Sequence, residues 1–245
     1  MKPASDVQSD APYVSVEHDG EIALVRIDRP PANAMDLALL SEGTAVLERL
    51  RESEPGAVVL TGRPGYFSAG VDLKFAPTLD AERQREMVMG INRVFAGWYS
   101  FPRPVVCAVN GHAIAGGLIL ALCGDYRVGP TDEGKFGLTE LRVGIGYPAV
   151  AMAVVKAELT PAAARLLALR AHLVGAAEAR ELGLFDEAAA TDQVLPRALE
   201  VAGELAALPR ATYEQVKRDV RGATIAEANR IVEEGADPLL AGWLG

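Results

Sequence analysis

Apolar residues recur along this chain with two periods, and the change of period marks its elements. Residues 13–16 and 22–27 are short runs rich in Val and Ile, which predicts two strands. His18-Asp19-Gly20-Glu21 joins them, and Asp-Gly is a hairpin turn signal. Arg29-Pro30-Pro31-Ala32-Asn33-Ala34 predicts a rigid loop. From about Asp36 the period lengthens, and Leu40, Gly43, Leu47 and Leu50 fall on one helical face. Glu54-Pro55-Gly56 ends that helix. Residues 57–61, Ala-Val-Val-Leu-Thr, form an unbroken apolar run, as expected for a strand covered on both faces.

The same alternation continues. A turn at 62–65 precedes Phe67-Ser68-Ala69-Gly70-Val71-Asp72-Leu73. A polar helix is predicted from Leu79 to about Tyr99, with Met87, Ile91, Val94, Phe95 and Trp98 as its apolar stripe. Phe101-Pro102-Arg103-Pro104 breaks the chain before a strand at 105–109. A second Gly-bearing turn, Asn110-Gly111-His112-Ala113-Ile114-Ala115-Gly116-Gly117, opens a helix over 116–122, and 125–128 is a further strand. From about Tyr147 the pattern is helical and Ala-rich. Thr160-Pro161 is an N-cap followed by proline at the first helical position. Helices are expected up to about Leu169, then over 176–182, 194–208, 210–220 and 224–234. The organisation is an α/β core of strand–strand–helix turns followed by a helical region. No internal repeat is visible.

Composition narrows the function. With 245 residues, half of them hydrophobic, the chain can bury one large core. A net charge of −9 argues against a nucleic-acid or anionic-membrane surface. The polar first dozen residues lack the apolar stretch of a secretory signal and predict a disordered tail over 1–12. The longest apolar stretch, 113–123, is too short for a membrane span. Cys107 and Cys123 are the only cysteines, which suits a reducing, cytoplasmic setting, and both read as small core hydrophobes. His18, His112 and His172 stand in no metal-ligand spacing, so no metal is expected. The turn at 111–117 is not a dinucleotide fingerprint, no phosphate-binding P-loop occurs, and Ser68 is not in a nucleophile elbow.

The two Gly-bearing turns and the later Cys123-Gly124-Asp125-Tyr126-Arg127 and Phe136-Gly137-Leu138-Thr139-Glu140 occur in the order and spacing of a known family. From Tyr13 to about Arg221 the chain resembles the crotonase, or enoyl-CoA hydratase/isomerase, superfamily. The resemblance implies an α/β fold: a crotonase (ClpP-like) spiral of repeated ββα units, with the core over 13–190 and a C-terminal helical trimerisation region over 191–245. It implies a homotrimer, or a hexamer built as a dimer of trimers. It implies an acyl-CoA substrate and no cofactor, because coenzyme A is part of the substrate.

Residue roles follow from the same resemblance. The backbone N–H groups of Val71 and Gly116 would form an oxyanion hole for the thioester oxygen. Ala32, Ala34, Ala69, Gly70, Asp72, Leu73 and Lys74 fall at coenzyme A positions. Lys74 or Arg29 would meet the phosphates, or Lys217 from a neighbouring subunit. Asp72 reads as a turn-fixing carboxylate, Asp125 and Arg127 as framework, and His112 as a hydrogen-bonded structural histidine. Glu140 aligns with one of the two glutamates of hydratases. The other position, three residues beyond Gly116, is Ile119, which cannot activate water. Ile119 and Tyr147 are expected in the acyl pocket, and Tyr66, Phe75, Met87, Phe95 and Trp98 are further candidates. Moving a double bond needs one base, whereas adding water usually needs two groups. The expected reaction is therefore Δ3-to-Δ2 enoyl-CoA isomerisation with Glu140 as the single acid/base. The alternatives are an enoyl-CoA hydratase, or a non-catalytic acyl-CoA binder on the same fold.

Overall fold

A computed structural model describes residues 11–244, so most of the tail expected over 1–12 lies outside the described residues. The hairpin forms as β1 (Val14–Asp19) and β2 (Ile22–Ile27). Pairing continues as far as Asp19 with Ile22, three residues beyond the apolar run, because only Gly20 and Glu21 are needed to turn. Helix α1 (Leu37–Ser53) starts where Asp36 accepts a hydrogen bond from the Leu39 N–H and buries the expected face. Then follow β3 (Ala57–Thr61), β4 (Gly65–Ser68), α2 (Ala81–Tyr99), β5 (Val105–Ala108), β6 (Gly111–Ile114), α3 (Gly116–Leu122), β7 (Tyr126–Pro130) and β8 (Phe136–Gly137).

After the first hairpin, each strand–strand unit feeds two sheets. One strand joins a six-stranded sheet in the order β1-β2-β3-β5-β7-β10, parallel except for the hairpin. The next joins a four-stranded sheet in the order β4-β6-β8-β9. Here β9 is Leu173–Val174 and β10 is Glu187–Ala189. The segment 111–114, expected as part of a turn, is therefore the strand β6, paired with β4 and β8. Four residues with a glycine and a histidine carry no usable period, so only the neighbouring backbones define it.

The C-terminal half is helical: α4 (Ala149–Glu158), α5 (Pro161–Ala164) running into a π-helical turn (Arg165–Leu169), α6 (Ala176–Glu181), α7 (Val194–Ala206) and α8 (Arg210–Glu234). Two helices were expected over 210–220 and 224–234, but α8 is continuous. Gly222 costs a helix only about 1 kcal/mol, and packing of α8 on α2 and α4 outweighs that. Helix α7 packs Val194, Ala198, Val201 and Ala202 onto Val59, Val106 and Val128 of the six-stranded sheet. The main core lies on the other face of that sheet, where α1, α2, α3 and α4 pack.

Candidate active site

Both Gly-bearing turns leave the four-stranded sheet and meet there. After β4, the Ser68 hydroxyl donates to Asn33 O (2.8 Å) and accepts from the Gly70 N–H (3.1 Å). Fully buried Asn33 donates to Ile27, Tyr66 and Phe67 carbonyls and accepts from the Arg29 N–H, tying the 29–34 loop to β4. Gly70 has φ +78°, and a Cβ there would lie 2.8 Å from Gly116 N and 2.9 Å from Ile114 O. Only glycine permits this approach.

The second turn is strained. Ala115, just before α3, has φ 54° and ψ −129°, a conformation that costs an L-residue about 1–3 kcal/mol. Its N–H bonds Gly137 O (2.8 Å), and its carbonyl accepts from Leu118 N (3.0 Å), which holds the strain in place. The Met35 N–H bonds Gly70 O (2.7 Å), and Asp72 N bonds Met35 O (2.9 Å), so the intervening Val71 N–H is left over. Among the described residues neither the Val71 nor the Gly116 N–H finds an acceptor.

Both residues line one cavity with Met35, Ala69, Ile119 and Glu140. Glu140 opens a 3-10 turn (Glu140–Val143) and is 9% exposed. Its Oε2 has no hydrogen-bond partner. Burial pushes its carboxyl up from 4.5 to about 7, partly offset by its own N–H, the Tyr147 hydroxyl and the Thr139 N–H. The Tyr147 hydroxyl, also buried, completes no hydrogen bond of good geometry. Glu140 is the one titratable side chain among the described residues lining the cavity; the others named there are apolar, apart from Thr139. Two unpaired amides beside an acid whose pKa burial raises toward neutrality can bind a developing oxyanion and move a proton.

The remaining expected site residues fall in different places. Ala69, Val71 and Leu73 line the cavity; Ala32 adjoins them through the Ala69 N–H bond to Ala32 O (3.0 Å), and Lys74 is exposed on the same turn. Asp72 fixes that turn by accepting from Lys74 and Phe75 N–H groups. Arg29 is committed to Asp36 (2.8 Å), Asp72 (3.0 Å) and the Ala34 carbonyl, and Lys217 is buried against Asp125 (2.7 Å). Neither is therefore free for a phosphate. The Tyr147 hydroxyl stands beside Glu140, and the residue also lines an adjoining surface groove with Met152 and Ile231. Of the further aromatic and Met candidates, only Phe95 reaches the cavity.

Arg127 pairs with Asp186 (3.1 Å), and His112 Nδ1 accepts from the Lys135 N–H (2.9 Å), so both belong to the framework. Met35, Ile91, Ile145, Ala151 and Trp243 also line the cavity, and sequence reasoning passed over them there. Ile91 was visible as part of a helical stripe, but Trp243 follows the last helix with no local signal.

A buried acid and two free amides where the two turns meet suit an enzyme that holds an oxyanion and moves a proton. The family model described as enoyl-CoA hydratase/isomerase matches residues 17–235. The chain belongs to this family, the crotonases, whose members use no separate cofactor because coenzyme A is part of the substrate. A relative from Thermus thermophilus that carries an enoyl-CoA hydratase name is 39% identical, over 76% of this chain and 75% of its own. The mitochondrial enoyl-CoA delta isomerase 1 of Mus musculus is 31% identical, over 86% of this chain and 74% of its own. The crystal structure of an enoyl-CoA hydratase from Mycobacterium marinum superposes with a TM-score of 0.85 at 29% identity, covering 95% of this chain and all of that one. Relatives with hydratase names and with isomerase names both match, so the names do not choose between the two reactions. Among the described residues no helix is long and apolar enough to cross a membrane.

Proposed function

We propose that this acyl-CoA enzyme shifts a double bond from the Δ3 to the Δ2 position. The observation that carries the reading is that, among the described residues, the cavity holds one carboxylate, Glu140, with fully buried Ile119 in the same lining. The thioester oxygen accepts hydrogen bonds from the Val71 and Gly116 N–H groups. Ionised Glu140 takes a proton from C2, the electron pair moves to the thioester oxygen, and the amides hold that charge. The same carboxyl returns the proton at C4 as the double bond re-forms between C2 and C3. No water need be activated. The coenzyme A moiety runs along the turn of Ala69, Gly70, Asp72 and Leu73, beside Ala32 and Ala34, with Lys74 toward the phosphates.

The test is conversion of 3-hexenoyl-CoA to the 2-enoyl ester by the wild type and by Glu140→Gln, alongside hydration of 2-butenoyl-CoA. Rapid isomerisation lost in the variant is expected. Hydration outpacing isomerisation, or an active variant, would overturn the reading.

A further inference from the structure

The apolar wall of the cavity is built from two kinds of side chain. Ile91 and Phe95 on α2, Ile119 on α3 and Ala151 on α4 stand on packed helices and are at most 2% exposed. They cannot move without disturbing the core. Trp243 lies beyond the last helix, after a 3-10 turn (Pro238–Ala241), yet it is only 6% exposed and lines the same cavity. Its indole Nε1–H donates to the Gly146 carbonyl (3.3 Å).

The segment that carries Trp243 is pinned by buried Asp237. Asp237 Oδ2 accepts from Asn92 Nδ2 on α2 (2.7 Å) and from the Ala149 N–H at the start of α4 (2.7 Å), and Oδ1 accepts from the Leu239 N–H (2.8 Å). Arg85 Nε adds a bond to the Leu240 carbonyl (3.0 Å). Leu239 packs so closely on Gly146 that a Cβ there would lie 2.9 Å from Leu239 Cδ2.

The cavity also has a direction. Leu73 and Val143, its exposed lining residues at 42% and 51%, mark the mouth. The whole cavity is small, with a volume of about 70 Å³. A fatty chain has little room there unless a wall moves.

We propose that Trp243 sets the length of acyl chain this enzyme accepts and restricts it to short-chain acyl-CoA esters. The inference rests on acyl-CoA as the family's substrate, and it is independent of whether the bound ester is isomerised or hydrated. The chain, held at its thioester by the turns, extends inward until it meets the indole.

The experiment is calorimetric binding of saturated butanoyl-, octanoyl- and dodecanoyl-CoA, which needs no turnover. The wild type binds butanoyl-CoA more tightly than dodecanoyl-CoA. Trp243→Ala reverses the order, shifting the affinity ratio toward the long ester by about tenfold or more. Trp243→Leu, which keeps an apolar plug and guards against loss of folding, shifts it by less in the same direction. Saturated esters can be neither isomerised nor hydrated, so failure of the proposed chemistry and failure of this inference are read separately. Wild-type binding that strengthens toward dodecanoyl-CoA, or an unchanged ratio in both Trp243 variants, would overturn it.

Discussion

Replacing Glu140 with Gln should cost activity and raise stability, with a pH dependence that reports the burial itself. In the folded chain the carboxyl ionises at about 7, against 4.5 for an ordinary glutamate. A carboxyl whose pKa is raised on folding binds its proton more tightly in the native state. Its ionisation therefore opposes folding, and stability falls as pH rises from about 4.5 to about 7. The shift is worth about 3 kcal/mol once the group is fully ionised in both states. Gln cannot ionise and escapes this penalty. It does place an amide where Glu140 Oε2 already lacks a partner, but that cost is the same at every pH. The gain of Glu140→Gln over wild type should thus be about 3 kcal/mol larger near pH 8 than at about pH 4. Urea unfolding of both proteins at the two pH values, at one fixed concentration, measures it. An equal difference at both values would mean that Glu140 titrates as if solvated, and the pocket would lose its physical basis.

Other expectations follow from the same geometry. With Glu140 acting as base in its ionised form, kcat/KM should rise with pH through about 7, and a profile flat from about pH 5 upward would contradict this. Gly70→Ala drives a Cβ toward Gly116 N at a positive φ, so kcat on the preferred enoyl-CoA should fall by at least about tenfold; unchanged steady-state kinetics would separate the two turns. Asn33→Ala leaves the Ile27, Tyr66 and Phe67 carbonyls short of a donor, and denaturant unfolding should show a loss of about 3 kcal/mol. By resemblance to its family the chain should assemble as trimers or paired trimers, with the exposed Val216 and Val220 of α8 at or near a subunit contact; light scattering checks the mass, and a monomer at working concentration would refute it.

The helices and central strands were legible because each buries a face. Leu40, Gly43, Leu47 and Leu50 announce α1, and the apolar run at β3 announces a strand covered on both sides. The short strands of the second sheet were not legible, since β6 and β8 are too brief for any period and are made by their neighbours. Residues 210–220 and 224–234 read as two helices, whereas packing carries α8 through Gly222 between them. Arg29 and Lys217 read as available cations; Asp36, Asp72 and Asp125, distant or unpaired in the linear chain, had already taken them.

Sequence alone determined which residues are on offer: two glycine turns, one acid at 140, an isoleucine at 119, and the alternation that builds the spiral. These are local properties, written in residue type and spacing. Tertiary structure decided what those residues can do. Burial of Glu140 moves its titration toward neutrality, contact between Gly70 and Gly116 brings two amides together, and Asp237 seats Trp243 against the cavity. Each of those depends on segments far apart in the chain meeting in space, because solvent exclusion and contact distance belong to the packed molecule and not to any one stretch of it.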